Sequence, residues 1–175
     1  MYFTSHGNTN AAVIYILFSI LNWQFNIAYF VFSWLMGMAP DLDVLLEIRR
    51  HYAKDIYHHH EYITHKPLFW YVLILVGSGV NLYFHFFRWE YILIAFIGVP
   101  SHFLMDGIGE APGEGVEWLW PFTNKKFGPW LIARDKSGQP IDPMKWYQYY
   151  FRNPYFITWE VIGLIAVAWI SSRVF

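Results

Sequence analysis

The fold is decided by residues 67–87, which read PLFWYVLILVGSGVNLYFHFF. This stretch contains no Asp, Glu, Lys or Arg, and a helix needs roughly 20 mostly apolar residues to cross the hydrocarbon core of a bilayer. Pro67 stands at the start, where a helix tolerates proline because the N–H that proline lacks would have no partner in the first turn. The stretch therefore predicts a membrane-spanning helix.

Two further stretches predict membrane helices of the same kind. A short turn around Arg88-Trp-Glu90 leads into the apolar run Tyr91–Asp106, and a last apolar run covers Tyr155–Val174. The last run contains one carboxylate, Glu160. A carboxylate inside a span needs a partner or a polar cavity, and the sequence offers His85 as one candidate partner.

The apolar block Ala11–Met38 admits two interpretations, because the polar stretch Asn22-Trp-Gln-Phe-Asn26 interrupts it. The first is a hairpin of two short helices, about residues 9–21 and 27–39. The second is one long tilted helix. We favour the hairpin, since three amide side chains in the middle of a bilayer would need buried partners. Together with the later runs, this block predicts about four to five spans.

The composition indicates a membrane protein with a single domain. Of 175 residues, 56% are hydrophobic and only 14% are charged, whereas about 25% of residues are charged in soluble domains. We predict an all-α polytopic membrane helical bundle over residues 1–175. The segment 107–154 should form an aromatic-rich cap at the membrane interface, because tryptophan and tyrosine rings favour the headgroup level. Its tryptophans include Trp118, Trp120, Trp130 and Trp146.

Two classes of function are excluded by the charge and the cysteine count. The net charge of −1 provides no overall basic field for binding nucleic acid. The chain contains no cysteine, which excludes disulfides, thiolate nucleophiles and cysteine-ligated metals. Any metal ion must therefore be held by His, Asp or Glu.

The distribution of Lys and Arg predicts the orientation in the membrane. If the first block is a hairpin, the loop 41–66 and the cap lie on the same side. That side carries all of the twelve Lys and Arg residues except Arg88 and Arg173. Loops rich in Lys and Arg stay in the cytoplasm. The sequence thus predicts a multi-pass protein of the inner membrane with this face in the cytoplasm.

Four groups of His and Asp residues fall on the predicted cytoplasmic face. They are His6, the pair Asp41 and Asp43, the pair His60 and His65, and the pair His102 and Asp106. Imidazole and carboxylate groups together suit zinc and other divalent ions. Each group alone also fits a helix cap, a buried histidine or a solvated loop. Their joint occurrence at span ends of so apolar a chain favours a functional site.

Residues 58–67, HHHEYITHKP, match the zinc-protease motif HExxH only in part. That motif places two histidines four positions apart, on one face of a helix. His60 and His65 are five positions apart, and a regular helix would separate them by about 140° around its axis. We expect this pair to converge from a loop or a distorted first turn, with His58 and His59 outside the site.

The same residues carry a family resemblance. The chain contains, in order, Ser5-His6-Gly7, Pro40-Asp-Leu-Asp43, His60-Glu-Tyr-Ile-Thr-His65, Ser101-His-Phe-Leu-Met-Asp106 and Gly115-Val-Glu-Trp-Leu-Trp-Pro121. In these motifs it resembles the membrane-bound metal-dependent hydrolases, a family of LexA-binding, inner-membrane-associated proteins. It departs from that pattern at Glu61, where the family has Arg, and at Lys66-Pro67, which replace the Ser after the second His.

The resemblance implies a metal-dependent hydrolase. We expect one or two divalent ions, most simply zinc, held among His6, Asp41, Asp43, His60, His65, His102 and Asp106. Asp41, Asp43 and Glu61 are the candidate general bases. The expected partners are membrane lipid and a lipid-like phosphoester or ester substrate.

The sequence leaves two non-enzymatic alternatives open. The first is a metal transporter, although transporters place their ligands near the middle of the bilayer and the candidate ligands here stand at span ends. The second is a membrane-anchored adaptor for a cytoplasmic protein, as the LexA-binding description of the similar family suggests.

Overall fold

The computed structural model describes residues 3–43, 62–109, 115–127 and 154–174. These residues form five α-helices: α1 (Phe3–Ile20), α2 (Ile27–Met38), α3 (Pro67–Phe84), α4 (Trp89–Gly109) and α5 (Pro154–Val174). Two short 3-10 helices, Ala39–Asp43 and Ile63–His65, follow α2 and precede α3. The described residues contain no β-strand beyond one isolated bridge. The predicted all-α class is confirmed.

The predicted hairpin at the N-terminal end is also confirmed, and the single long helix is wrong. Asn22 adopts a left-handed backbone conformation with φ of 54°, which asparagine tolerates better than most residues. Asn26 is the N-cap of α2, and its side-chain oxygen accepts a hydrogen bond of 3.0 Å from the backbone N–H of Tyr29. The interrupting amides therefore lie in a turn that ends one helix and begins the next.

Helix α1 begins at Phe3, several residues before the predicted start. The reason is that its polar first half is buried against other helices rather than exposed as a loop. The Asn8 side-chain oxygen accepts a hydrogen bond of 3.0 Å from Trp34 Nε1, and Asn10 Nδ2 donates to the Ser33 carbonyl. Partners on α2 thus satisfy these amides, and an apolar periodicity could not reveal the extra turns.

Among the described residues, three helices are long and apolar enough to cross a membrane, namely Pro67–Phe84, Trp89–Ile108 and Ile157–Val174. Half of the apolar stretch of α4 is buried inside the protein, whereas only 11% of the corresponding stretch is buried in α3 and in α5. Helix α4 is therefore the central span, with α3 and α5 turning most of their side chains outward. Helix α1 has 18 residues, but its first half is polar, and α2 has only 12 residues. These two helices are therefore not counted among the three.

The helices are arranged so that one end of the bundle collects the polar groups. Ser5 Oγ donates to Glu160 Oε1, and the rings of Tyr15 and Trp169 lie 5.3 Å apart. These contacts show that α1 and α5 run parallel. The starts of α1, α3 and α5 consequently meet the ends of α2 and α4. We call this the polar end.

A glycine allows α1 and α2 to approach closely at the polar end. A Cβ atom on Gly37 would lie 2.5 Å from the His6 carbonyl oxygen and 2.7 Å from Asn10 Cβ. Real Cβ atoms are never found so close to backbone atoms, so only glycine fits at this crossing. The close approach brings His6 of α1 beside the end of α2.

The described part of the predicted cap, residues 115–127, packs against the polar end. Val116 and Phe127 form the isolated bridge through backbone hydrogen bonds of 3.1 and 2.9 Å. Val116 joins Val99 and Phe103 in a buried cluster, and Trp118 packs against that cluster. Trp130 and Trp146 lie outside the described residues.

Candidate metal centre

The imidazole of His102 is fixed by the backbone of α2. His102 is fully buried in α4, and its Nδ1 lies 2.8 Å from the carbonyl oxygen of Gly37. A carbonyl only accepts hydrogen bonds, so Nδ1 carries the proton and donates it. In the neutral ring the lone pair is then on Nε2. A metal-binding histidine is commonly oriented in this way, by a hydrogen bond from its other nitrogen.

Two carboxylates face His102 Nε2. Asp106 Oδ2 lies 2.9 Å away, one helical turn along α4, and Asp41 Oδ1 lies 3.5 Å away. Asp41 is contributed by the 3-10 helix Ala39–Asp43 that continues α2. The lone pair of a neutral imidazole and two carboxylates repel one another at these distances, whereas a cation between them would be attracted by all three.

Two further histidines complete the cluster. His65, from the 3-10 helix Ile63–His65, has its Nε2 3.2 Å from Asp41 Oδ1. His6 of α1 has its Nε2 3.1 Å from Asp106 Oδ1. The imidazole rings of His6 and His102 are tilted against each other with centroids 4.0 Å apart. Each carboxylate is thus shared between two histidines.

The five side chains form one buried polar cluster that suits a divalent cation. None of the five residues is more than 7% exposed. Two sets of three residues could each hold an ion, because the donor atoms within each set lie within 4.8 Å of one another. One set is His6, Asp41 and His102, and the other is His65, His102 and Asp106. Three imidazoles and two carboxylates are the donor chemistry that zinc accepts. Buried ionisable groups are otherwise rare unless they are paired or bind a metal.

The structure brings together five of the seven predicted ligands, from α1, α4 and the two 3-10 helices. These are His6, Asp41, His65, His102 and Asp106. Asp43 ends its 3-10 helix, but its side chain is outside the described part of the chain, as are His60 and the candidate base Glu61. Their contribution remains a prediction.

Two pairs beside the cluster were not found from the sequence. Lys66 Nζ lies 2.9 Å from Glu117 Oε1, and both side chains are buried. Glu160 accepts a hydrogen bond from Ser5, the neighbour of His6, so the suggested pairing with His85 is wrong. His85 follows the last residue of α3, at the other end of the bundle. Both pairs join residues distant in sequence, for which spacing gives no signal.

Comparison with known proteins identifies a family. A family model described as YdjM inner membrane protein matches residues 1–174. No curated protein and no solved structure matches the chain. Because the match extends over nearly every residue, the chain belongs to the YdjM inner membrane protein family.

Proposed function

We propose that this protein is a metal-dependent hydrolase that acts on a lipid-like phosphoester or ester at the cytoplasmic face of the inner membrane. The single observation that carries the proposal is the buried cluster of three imidazoles and two carboxylates at one end of a membrane helical bundle. Such a cluster is costly in an apolar protein unless it serves a purpose.

The donor geometry supports one ion within the described cluster. His102 belongs to both sets of donor atoms, but its Nδ1 is engaged by Gly37, so only Nε2 is free to bind. One nitrogen binds one ion. A second ion would need donors from Asp43 or His60 in addition. When bound, a zinc ion supplies Lewis-acid stabilisation of a phosphoryl or carbonyl oxygen and makes a bound water more acidic.

The protein side chains would divide the remaining roles. Asp41 is held between His65 and His102 at 3.2 and 3.5 Å. It is a ligand or, like Asp43 and Glu61, the general base that takes a proton from the attacking water. The Lys66–Glu117 pair lies next to His65 and fixes the cap segment over this side of the cluster. Lys66 is also the described cation nearest in sequence to the position where the similar hydrolases have an arginine.

The position of the cluster supports a membrane-resident substrate. His65 immediately precedes the apolar helix α3, and His102 and Asp106 occupy the last two turns of α4. The ends of spanning helices lie near the headgroup region, where the ester and phosphate groups of lipids are located. The cytoplasmic assignment rests on the Lys and Arg distribution alone.

The same position disfavours a transporter, because transporters bind their ions near the middle of the bilayer on interrupted helices. A metal-binding adaptor is the second candidate. An adaptor would use the same metal centre as the proposed hydrolase, but it would not need a general base.

The test is hydrolysis by the reconstituted full-length protein. Vesicles containing phosphatidic acid or another lipid phosphate should release phosphate or a free headgroup when zinc is present. Asp41→Asn should reduce the rate by at least about 100-fold, the size of effect typical of acid–base groups. Retention of zinc together with unchanged biological activity in a variant that hydrolyses nothing would favour the adaptor.

A further inference from the structure

A cleft lies in the half of the bundle remote from the metal centre. Helices α2, α3 and α4, with the α3–α4 turn, enclose a cleft of about 410 Å³. Ligand sites commonly have volumes of about 300–1,000 Å³. Side chains from each element line it, including Phe32, Ile74, Phe87, Ile92 and Ala95.

Two of the three polar residues in the lining, Ser78 and Asn81, turn their hydrogen-bonding groups to the backbone. Ser78 Oγ donates to the Ile74 carbonyl oxygen at 2.7 Å. Asn81 Nδ2 donates to the Phe87 carbonyl at 2.9 Å, while Asn81 Oδ1 accepts from the Phe87 N–H at 2.7 Å. With these two residues satisfied and most of the remaining lining apolar, the cleft offers an occupant mainly apolar contact, and the ligand it suits is a hydrocarbon.

The depth of the cleft can be measured from the metal centre along two helices. At a rise of 1.5 Å per residue, Ile74 lies about 10 Å and Asn81 about 20 Å along α3 from Pro67. Ala95 lies about 10 Å along α4 from His102. The hydrocarbon core is about 30 Å thick, so the cleft extends from about the middle of the bilayer to the α3–α4 turn at the far end of the bundle.

Between the metal centre and the cleft, the interface of α3 and α4 is filled by packed side chains. Val99 and Phe103 of α4 are buried there, with Trp70 of α3 against them. A hydrocarbon chain therefore reaches the cleft from the bilayer, along the outward surface, and not through the interior. Tyr71 of α3 and Phe96 of α4, whose ring centroids lie 5.9 Å apart, stand between the cleft and the polar end on the cleft side of these helices, and the half-exposed Phe96 provides that surface.

We infer that the cleft binds the distal part of a long hydrocarbon tail of the lipid whose headgroup is processed at the metal centre. The inference rests on the proposed function for the headgroup. It adds that the substrate is a long-chain lipid, because a tail must extend at least about 10 Å from the polar end before it reaches the cleft.

Two glycines of α3 provide a matched pair of variants. Gly77 lines the cleft, whereas Gly79 does not. A Cβ added at either position meets no atom within 4 Å, so both accept a larger side chain. Gly77→Leu places a side chain in the cleft, and Gly79→Leu makes the same change elsewhere on the helix, with the same gain in helix propensity.

The experiment is photo-crosslinking in vesicles of phosphatidylcholine that contain phosphatidic acid with a diazirine near the end of one acyl chain. In the wild-type protein the label should concentrate on the cleft-lining parts of α3 and α4. Each buried methylene group contributes a factor of about four in affinity. Gly77→Leu should therefore reduce cleft labelling about tenfold, and Gly79→Leu should change it by less than about twofold.

Metal analysis of the same preparations separates the two proposals. If Gly77→Leu retains metal but labels like the wild type, or if labelling is uniform along both helices, the tail site is refuted and the metal centre is unaffected. If no preparation contains metal but labelling falls only in Gly77→Leu, the tail site is supported and the proposed hydrolase is refuted.

Discussion

His6 Nε2 of the first helix lies 3.1 Å from Asp106 Oδ1 at the end of the fourth. The contact closes the buried cluster, since Asp106 also faces His102 at 2.9 Å. It requires the start of α1 to meet the end of α4 at the polar end, where α1 also crosses α2 closely and lies beside α5. The predictions below test these relationships one at a time.

Asp106→Asn should remove the metal. The variant keeps the shape of the side chain but loses the charge and one acceptor oxygen that face His6 and His102. We expect metal affinity to fall at least about 100-fold, measured by competition with a zinc chelator. Glu90→Gln is the control, because it neutralises a buried carboxylate at the other end of the same helix. Equal metal affinity in Asp106→Asn and the control would contradict the assigned cluster.

Gly37→Ala should destabilise the bundle. The added methyl group would lie 2.5 Å from the His6 carbonyl oxygen and 2.7 Å from Asn10 Cβ, so α1 must move. Overpacking of this kind costs about 1–3 kcal/mol, which thermal unfolding in detergent would detect.

Gly79→Ala is the matched control for that variant. Its Cβ meets open space, and replacing a helical glycine by alanine gains up to about 1 kcal/mol. If the two variants have the same unfolding temperature, the close crossing of α1 and α2 is wrong.

Lys66 and Glu117 should be energetically coupled. Their charged groups lie 2.9 Å apart and both are buried. A double-mutant cycle with Lys66→Met and Glu117→Leu should give a coupling free energy of about 1–3 kcal/mol. Chemical unfolding of the wild type, both single variants and the double variant supplies the four values. Strict additivity would show that segment 115–127 is not fixed to the start of α3 by this pair.

Cysteines at positions 8 and 163 should form a disulfide. A Cβ built on Gly163 lies 3.3 Å from Asn8 Cβ, close to the range of about 3.5–4.5 Å found in disulfides. The natural chain has no cysteine, so no other disulfide can form within the chain. Mild oxidation of Asn8→Cys/Gly163→Cys, followed by protease digestion and mass spectrometry, should detect the bridge between α1 and α5. Asn8→Cys/Gly79→Cys should remain reduced, and bridging in both would mean that the pairing is not specific.

Single cysteines can also test the orientation in the membrane. Phe122, in the described part of the cap, is 87% exposed, and Phe86, in the α3–α4 turn, is 66% exposed. A membrane-impermeant maleimide added to intact spheroplasts should label Phe86→Cys and leave Phe122→Cys unlabelled until lysis. The reverse pattern would place the polar end outside the cytoplasm.

The sequence predicted those features that depend on local chemistry. The run after Pro67 has the length and apolar character of a span, and the polar stretch from Asn22 to Asn26 has the character of a turn between two helices. The spacing of His102 and Asp106 places both on one face of α4. These predictions need only the period of a helix and the properties of individual side chains.

Features that depend on contacts between distant elements could not be predicted in this way. The first turns of α1 are helical because α2 supplies partners for Asn8 and Asn10. The carbonyl that orients His102 belongs to Gly37, a backbone group without a sequence signal. Ser5, which donates a hydrogen bond to Glu160, stands at the opposite end of the chain. Each was hidden because tertiary packing determines it, and one sequence does not show which helices are neighbours.

The most direct test of the metal centre is elemental analysis of the detergent-purified protein by mass spectrometry, with and without exposure to a chelator. We predict one or two zinc ions per chain in the wild type, loss of that zinc after chelation, and none in His102→Ala. A wild-type protein that is folded, free of metal and unchanged in thermal stability when zinc is added would contradict the account.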